Sequence, residues 1–386
     1  GGAGLVTIGG APFGVPPGVL YGMDDIPSMT RMAEAIHKYD CPAFVQMFHI
    51  GPMLPPFLAA KGLPPVAASA LTKDELPIPR LAPPQALSVP EIEEIVRQFG
   101  IQAEWIRRAG FQGIELNAAG THLLNSFLSC YWNKRDDIYG AGSIESRAKI
   151  VVDIIKEIKR INGNDFAIIA LINGAEPGLL NGTTPVEAQS IARQLQTAGA
   201  DAIHVRVEYY NHPQNPERRD STQMPDVAFY PEPTFQVKKE EIDGSRYGAG
   251  AGWPSVAAVK KAVTIPVIAV GRMDPELGEK LLRRGDIDFI SLNRRLMADP
   301  ELPNKIAENR LKDIAPCTAC LTCFDAEERG GLPRCRINTA LGKEKEFEIK
   351  PAVNKKNILI IGGGPAGMEA ARVAALRGHK VTLCEK

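Results

Sequence analysis

The sequence predicts an α/β protein, and three observations support this fold class. Short β-branched runs alternate with amphipathic helical segments up to about residue 300. Four of the seven cysteines lie within nineteen residues, and a glycine-rich turn directly follows an apolar run at 357–361. Because alternating strands and helices form right-handed crossovers onto a parallel sheet, the main domain is either an open doubly wound sheet or a closed eight-stranded barrel.

The strand and loop pattern favours the barrel. Helix starts between the strands carry capping signals, since Ser88 and Thr184 are each followed three residues later by a glutamate. The loop at 208–252 is long, and in a barrel such loops lie over the carboxyl-terminal mouth, where active sites form. Seven strands in a chain that begins on one predict a (β/α)8 TIM barrel lacking its first strand. These strands are 4–10, 43–49, 113–118, 167–172, 202–207, 266–271 and 289–294.

Composition limits the partners of this protein to small molecules. The 386 residues carry 45 Lys and Arg against 45 Asp and Glu, so the formal net charge is zero. Nucleic acids and membrane surfaces require a local excess of basic residues, which the sequence lacks. No apolar run approaches the ~20 residues of a membrane-spanning helix. Seven cysteines are too few for a disulfide framework of this length, which predicts a reducing, cytoplasmic location.

The cysteine cluster predicts a metal centre. Its spacing is C-x2-C-x2-C-x11-C, formed by Cys317, Cys320, Cys323 and Cys335. Closely spaced cysteines of this kind are typical of iron–sulfur proteins, whereas a zinc ribbon draws two C-x2-C pairs from separate knuckles. The pattern therefore favours a 4Fe–4S cluster, with structural zinc and unligated thiols as the alternatives.

The glycine-rich turn predicts the start of a Rossmann-like dinucleotide-binding domain. Gly362 permits a tight turn, Gly364 lets the backbone approach a pyrophosphate, and Gly367 allows the helix to touch the strand. A second strand ends in Glu385, which is placed to accept a ribose hydroxyl. The chain ends at Lys386, so we expect this domain to be only partly present.

Several longer motifs resemble the old yellow enzyme family, in the branch of 2,4-dienoyl-CoA reductase, 2-enoate reductase and trimethylamine dehydrogenase. The resemblance covers essentially the whole chain. It implies an FMN-binding TIM barrel at 1–300, a 4Fe–4S segment at 301–350 and the start of an FAD-binding domain at 351–386. The motifs are Val45 to Gly51, Gly110 to Arg147, Gly271-Arg272 and Asn293 to Pro300.

The resemblance also implies an activity and its cofactors, which are FMN, FAD, a 4Fe–4S cluster and NAD(P)H. Electrons would pass from NAD(P)H to FAD, through the cluster to FMN, and then as hydride to a C=C bond conjugated to a carbonyl or a CoA thioester. Nicotinamide delivers two electrons and a cluster carries one, so a flavin is needed on each side. The implied partner is a small molecule, an unsaturated or aromatic acyl-CoA, and a homo-oligomer stays open.

Individual residues match the family's flavin-binding positions. Gln46 matches the glutamine that hydrogen-bonds the flavin pyrimidine edge, and Gly10 matches a glycine whose backbone lies against the flavin. The phosphate-binding loops of such barrels follow the last strands, where backbone N–H groups and a guanidinium meet the phosphate. The matching residues there are Gly271, Arg272, Asn293 and Arg294.

The catalytic positions depart from the family pattern. His122 stands where dienoyl-CoA reductases have a tyrosine proton donor, and Tyr210 stands where they have a histidine, with His212 as the alternative if the loop alignment shifts. Either side chain could donate a hydrogen bond or a proton. Asn117 matches a carbonyl-binding position. We therefore predict His122, Tyr210 and Asn117 as catalytic residues.

A second departure concerns the flavin, because the family's arginine beside its N1 and O2 edge aligns with Leu171. Loss of that cation predicts a more strongly reducing FMN, which would suit an aromatic substrate such as 2-naphthoyl-CoA. Two other interpretations compete. One is an oxidative amine dehydrogenase resembling trimethylamine dehydrogenase, and the other is a non-catalytic electron carrier or a zinc-stabilised barrel.

Overall fold

The computed structural model divides the chain into two units. The first comprises Gly1–Asn293 and Glu301–Leu311, and the second comprises Arg294–Pro300 and Lys312–Lys386. The residues that the structure describes are 2–13 (backbone only for 10–13), 26–54, 62, 64–77, 81–177, 179–208, 250, 252–318, 320, 322–323 and 332–386.

A curled sheet of seven parallel strands forms the centre of the first unit. Its order is β1-β2-β5-β6-β7-β8-β9, so each strand pairs with its neighbour along the chain apart from a short two-stranded sheet, β3-β4. The strands are β1 (Val6–Phe13), β2 (Ala43–His49), β3 (Val66–Ala67), β4 (Gln85–Ala86), β5 (Gly113–Ala118), β6 (Ala167–Ala175), β7 (Ala202–Val207), β8 (Val267–Ala269) and β9 (Phe289–Ile290).

Helices connect these strands, as the parallel sheet requires. The connecting helices are α1 (Ile26–His37), α2 (Val89–Arg108), α3 (Leu123–Leu128), α4 (Ile144–Asn162), α5 (Pro185–Ala198), α6 (Trp253–Lys260) and α7 (Pro275–Arg283). Two further helices follow β9, namely α8 (Arg294–Ala298) of the second unit and α9 (Leu302–Ala307), and 3₁₀ turns lie at Gly51–Met53, Lys73–Glu75 and Leu311–Asp313. The predicted capping boxes are confirmed, because Glu91 and Glu187 each accept a hydrogen bond from the backbone of their cap residue.

The predicted strands are largely confirmed. The bounds of β2, β5 and β7 agree with the sequence prediction, β6 runs three residues further, and β8 and β9 are shorter. One face of the sheet packs against the helices and forms the main core. Along each strand the alternate side chains point to the opposite face, which we call the inner face.

The second unit contains a β-α-β element. Its strands β10 (Asn357–Ile361) and β11 (Lys380–Cys384) pair in parallel, and α10 (Pro365–Leu376) connects them. Across the described parts of both units, no helix is both long and apolar enough to traverse a bilayer.

Candidate active site

The inner face of the sheet changes from apolar to polar along the strands. Near their amino-terminal ends, Phe44, Ile169 and Ile268 form a small apolar cluster. One step further along the strands lie Gln46 and Glu115, which are direct partners in the β2–β5 register. In barrels of parallel strands, the catalytic groups lie at the carboxyl ends of the strands. This polar layer is therefore the candidate active-site end of the first unit.

A continuous chain of hydrogen bonds joins the polar side chains of this layer. Gln46 Nε2 donates to Glu115 Oε1 at 2.5 Å, and Asn117 Nδ2 donates to Gln46 Oε1 at 3.3 Å. The Asn117 Oδ1 atom accepts from the backbone N–H of Ala119 at 3.0 Å. On the other side, His204 Nδ1 lies 2.7 Å from Glu115 Oε2. Two residues predicted from the sequence, Gln46 and Asn117, are thus brought into contact.

The buried carboxylate of Glu115 was not found by sequence reasoning, nor was His204. Burial raises the pKa of Glu115, but the charge and hydrogen bond of His204 and the hydrogen bond from Gln46 outweigh it, so the net pKa is lowered. The signal was present in the sequence: each is a titratable side chain at an alternate position of a largely apolar strand.

A second buried carboxylate, Glu176, holds the loop that follows β5. Its Oε1 accepts from Asn125 Nδ2 at 2.7 Å and from Asn173 Nδ2 at 3.0 Å, and its Oε2 accepts from the backbone of Thr183 at 2.7 Å. Asn173 in turn accepts a hydrogen bond from the backbone N–H of Gly120 at 3.0 Å. The segment between Asn117 and α3 is therefore tied to the end of β6.

His122, the predicted proton donor, lies at the start of α3. Its ring centroid is 4.9 Å from that of Phe48, and its Nδ1 atom is enclosed without a hydrogen-bond partner among the described residues. Burial, followed by the charge of Arg206, lowers the pKa of His122 to about 4, although a hydrogen bond to the Ile50 backbone raises it. Burial and the nearby His122 lower the pKa of His49 to about 3.

Both histidines are therefore neutral at pH 7. Because the ring of His122 donates to the Ile50 carbonyl, its enclosed Nδ1 atom carries a lone pair rather than a proton. Neutral His122 can donate its ring proton to a substrate only after its hydrogen bond to the Ile50 carbonyl breaks. The donor role of His122 stays a prediction, while Tyr210 and His212 lie outside the described residues.

Arg206 places a cation at the end of β7, in register with Asn173 of β6. Its guanidinium forms an ion pair with the buried carboxylate of Glu208. The Nη1 atom lies 3.6 Å from the position that a Cβ atom on Gly120 would take. A positive charge therefore stands beside the loop that carries Asn117 and His122.

Two of the predicted flavin-binding positions in the first unit lie where the backbone is open. The β1–β2 register is irregular between Ile8 and Ala11, at the Gly9-Gly10 pair, and no described atom lies within 4 Å of a Cβ built on Gly9. A Cβ built on Gly271 likewise meets nothing within 4 Å. A bulge with glycine is typical of a strand that a ligand approaches closely. These positions fit a flat ring lying along the strand ends.

The loop after β8 has an unusual backbone. Gly271 has φ +111° and Arg272 has φ +52°, and a non-glycine residue in the left-handed region costs about 1–2 kcal/mol. Strain of this kind is retained where surrounding structure enforces it, as in anion-binding loops. Asn293 is exposed at the end of the first unit, whereas Arg294 begins the second unit.

The four cysteines of the predicted cluster line one pocket in the second unit. Arg294, Met297 and Arg334 line it as well, so the structure places Arg294 beside the cysteines. No three His, Cys, Asp or Glu side chains among the described residues converge to hold a metal ion. The cysteines are Cys317, Cys320, Cys323 and Cys335.

Hydrogen bonds favour the thiolate form of one of these cysteines. Burial raises the pKa of Cys320, but hydrogen bonds with Thr322 and Thr318, together with the charge of Arg336, give a net lowering. The Sγ atom of Cys335 accepts from the backbone N–H of Ile337 at 3.4 Å. Since the thiolate is the species that binds metal, this environment suits a ligand cysteine.

In the glycine turn of the second unit, the start of α10 lies close to the end of β10, as the sequence predicts. A Cβ on Gly367 would lie 1.9 Å from the Gly362 carbonyl oxygen, so only glycine fits, and Gly362 has φ +102°. A Cβ on Gly364 would meet no described atom within 4 Å, which leaves room for a ligand at the start of α10. The carboxylate of Glu385 accepts a hydrogen bond from the backbone N–H of Gly363.

Comparison with known proteins identifies the family. Residues 14–313 match the NADH:flavin oxidoreductase / NADH oxidase family, and the chain belongs to it. The resemblance to the old yellow enzymes is thereby confirmed, and membership supports FMN and NAD(P)H as cofactors.

Two curated relatives align along most of the chain. The NADH oxidase of Thermoanaerobacter brockii is 35% identical, covering 100% of this chain and 56% of that protein. The cinnamate reductase of Clostridium sporogenes is 34% identical, covering 92% of this chain and 51% of that protein. The chain thus spans about half the length of the curated relatives it matches.

Two solved structures are similar over the same length. A 2-naphthoyl-CoA reductase in complex with 2-naphthoyl-CoA matches with a TM-score of 0.80 at 28% identity, covering 95% of this chain and 54% of that one. Histamine dehydrogenase from Rhizobium sp. 4-9 matches with a TM-score of 0.76 at 26% identity, covering 96% and 51%.

Proposed function

We propose that this chain is the flavin- and substrate-binding part of an enzyme that reduces a C=C bond conjugated to a carbonyl or a CoA thioester. The observation that carries the proposal is the polar network on the inner face, which joins Gln46 to Asn117 at the carboxyl ends of the strands. Membership in a flavin oxidoreductase family supplies the chemical context.

The chain's own residues would bind and orient both molecules. After its contacts with Glu115 and Asn117, the Gln46 amide retains one N–H and one carbonyl lone pair for the pyrimidine edge of a flavin. Asn117 likewise retains one N–H for a substrate carbonyl. FMN, when bound, supplies hydride transfer. Polarisation of the carbonyl by amide donors withdraws charge from the carbon that accepts the hydride.

The proton added to the other carbon of the C=C bond would come from His122, with Tyr210 or His212 as the alternatives. His122 is neutral at pH 7 and lies beside Arg206, whose positive charge disfavours the protonated ring. When the neutral ring gives its proton to the substrate, the same cation would stabilise the negative charge left on the ring. The assignment of the donor is part of the proposal.

We further infer a 4Fe–4S cluster in the cysteine pocket and FAD on the glycine turn, so that FAD would take two electrons from NAD(P)H and pass them one at a time through the cluster to FMN. The lining of one pocket by Cys317, Cys320, Cys323 and Cys335 supports the first inference. In a four-iron cluster each cysteine binds its own iron, so the thiolates surround the cluster instead of meeting at one ion. The open backbone at Gly364 supports the second inference.

An aromatic acyl-CoA is the substrate class that we favour. The match to a 2-naphthoyl-CoA reductase and the leucine at position 171, where the family's arginine would add a cation, both support it. An α,β-unsaturated carboxylate of the cinnamate type fits the same donor groups.

Oxidation of an amine is the second candidate, because histamine dehydrogenase is a structural neighbour. A methylated ammonium group is held by an aromatic cage through cation–π contacts. Of the described residues around His122, Phe48 is the one whose ring contacts it, while the donors there are Asn117 and Arg206. This set suits a carbonyl better than an ammonium ion.

A non-catalytic electron carrier or a zinc-stabilised barrel is the third candidate.

Anaerobic spectroscopy of the complete enzyme separates these candidates. The reduced protein is mixed in turn with 2-naphthoyl-CoA, an enoyl-CoA and cinnamate, the oxidised protein is mixed with trimethylamine, and flavin absorbance is followed in each sample. We expect an acyl-CoA to reoxidise the flavin, while the amine reduces nothing in the oxidised sample. Flavin reduction by the amine would replace the proposed activity, and a colourless protein that contains zinc and no iron would remove the electron path.

A further inference from the structure

The hydrogen bonds of the two inner-face amides run in one direction, towards Glu115. The Ala119 backbone donates to Asn117, Asn117 donates to Gln46, and Gln46 donates to Glu115 Oε1. His204 Nδ1 contacts the other carboxylate oxygen, Oε2. Both oxygens of one buried side chain therefore terminate the chain of hydrogen bonds.

This arrangement has a physical consequence for the two amides. A side-chain amide can turn either its oxygen or its nitrogen towards a neighbour, whereas an ionised carboxylate only accepts hydrogen bonds. Glu115 therefore requires the NH2 group of Gln46 to face it, which leaves the Gln46 oxygen to face Asn117. Asn117 must then turn its own NH2 group towards Gln46 and its oxygen towards the Ala119 N–H.

We propose that Glu115 is a positioning residue whose carboxylate sets the orientation of the Gln46 and Asn117 amides, and with it the hydrogen-bonding pattern offered to flavin and substrate. The inference deepens the proposed function and rests on it. Glu115 itself is 5% exposed and lies level with Gln46 in the strand register and two residues before Asn117 on β5, so it acts through these amides.

His204 holds the carboxylate of Glu115 in place. An ionised Glu115 requires the proton of His204 to be on Nδ1, the atom that faces it. The other ring nitrogen, Nε2, is buried and has no partner among the described residues. The hydrogen bond from Nδ1 therefore orients the imidazole, and it fixes the second carboxylate oxygen at 2.7 Å.

The test compares wild-type protein with Glu115→Gln, using the complete enzyme and its flavin-free form. A glutamine at 115 both donates and accepts, so it no longer imposes a direction on Gln46. We expect the FMN Kd to rise about tenfold, equivalent to about 1.4 kcal/mol. In the flavin-free protein, we expect the side-chain amide NMR signals of Gln46 and Asn117 to shift or double.

A matched control is Glu187→Gln, which removes the carboxylate from another ion pair of the first unit. Glu187 accepts from the buried Arg147 at 2.6 Å and joins α5 to α4, on the helical side of the sheet. We expect this variant to lose thermal stability with an unchanged FMN Kd and unchanged Gln46 and Asn117 signals.

A measurement on the wild-type chain keeps the inference testable if Glu115→Gln does not fold. At pH 7, the ¹³C signal of the Glu115 carboxyl should have the position of an ionised group. A neutral carboxyl, which could donate, would overturn the proposal.

The outcomes for the two proposals are distinguishable. If the wild-type enzyme binds FMN and Glu115→Gln leaves both the Kd and the amide signals unchanged, the positioning role is wrong and the proposed function stands. If the wild-type enzyme binds no FMN, the proposed function fails, and the role of Glu115 towards a flavin fails with it.

Discussion

Both faces of β5 are buried, but they differ completely in their contacts. In β5, Ile114 and Leu116 are 0% exposed, while Glu115 and Asn117 are 5% and 4% exposed. The first pair belongs to the main core beneath the helices, and the second pair forms hydrogen bonds on the inner face. Burial alone therefore does not distinguish a structural side chain from a functional one in this sheet.

The two faces differ in what compensates each side chain for losing its contact with water. An apolar side chain is stabilised by leaving water, whereas a buried polar group costs free energy unless it forms hydrogen bonds. The inner-face groups meet that requirement with one another, and the network remains at the strand ends where ligands reach it. Substitutions on the helical face should therefore change stability alone, and those at the inner face and the adjoining mouth should change chemistry.

Leu116→Ala on the helical face should produce the largest change in stability. Removing a fully buried leucine costs about 2–5 kcal/mol through lost transfer energy and the cavity left behind. Urea denaturation measures this loss, and the FMN absorption spectrum should stay the same. Leu116→Met is the control, expected to cost less than about 1.5 kcal/mol. A changed flavin spectrum in Leu116→Ala would show that the two faces are not independent.

His122→Phe, near the carboxyl ends of the strands, should instead change the rate of the reaction. The ring already packs on Phe48, so phenylalanine fits the space, but it donates no proton. We expect flavin content to be retained and substrate reduction to slow about 10²-fold, equivalent to about 2.7 kcal/mol. Single-turnover reoxidation of the reduced flavin measures the rate.

The control for this variant is His37→Phe, at a histidine that contacts Gln112 at the opposite ends of the strands. It should leave the rate unchanged. If His122→Phe also turned over at the wild-type rate, the donor would have to be sought at Tyr210 or His212.

Acidification should destabilise the fold through the histidines at the mouth. In the folded chain the pKa of His49 is lowered to about 3 and that of His122 to about 4, against an ordinary histidine pKa of 6.5. Between pH 6.5 and pH 4 the unfolded chain binds more protons, so stability falls as pH falls. From pH 7 to pH 5 each histidine should cost about 2 kcal/mol.

Urea denaturation at pH 7, 6 and 5 measures this dependence. His122→Phe removes one of the two contributions and should reduce the slope by about half. A stability that does not change between pH 7 and pH 5 would mean that solvent reaches both rings.

The sequence predicted local features well and the inner network only in part. The cysteine pocket depends on residues close together in the chain, and the bounds of β2, β5 and β7 follow from short apolar runs. The contact of His204 with Glu115 joins residues 89 positions apart, and that of Gln46 with Glu115 spans 69. Such pairs depend on strand register, which one sequence does not display.

The smallest expected effect tests Leu171, an apolar side chain beside the inner-face network. Leu171 lies in register with both Asn117 and His204, so its side chain points to the inner face beside the predicted flavin position. Leu171→Arg would add a cation there and stabilise the negative charge that a flavin gains on reduction. A redox titration should show the FMN potential raised by about 30 mV, which is about 1.4 kcal/mol for a two-electron couple. Leu171→Met, of similar volume and no charge, should leave the potential unchanged, and an equal potential in both variants would place the flavin away from β6.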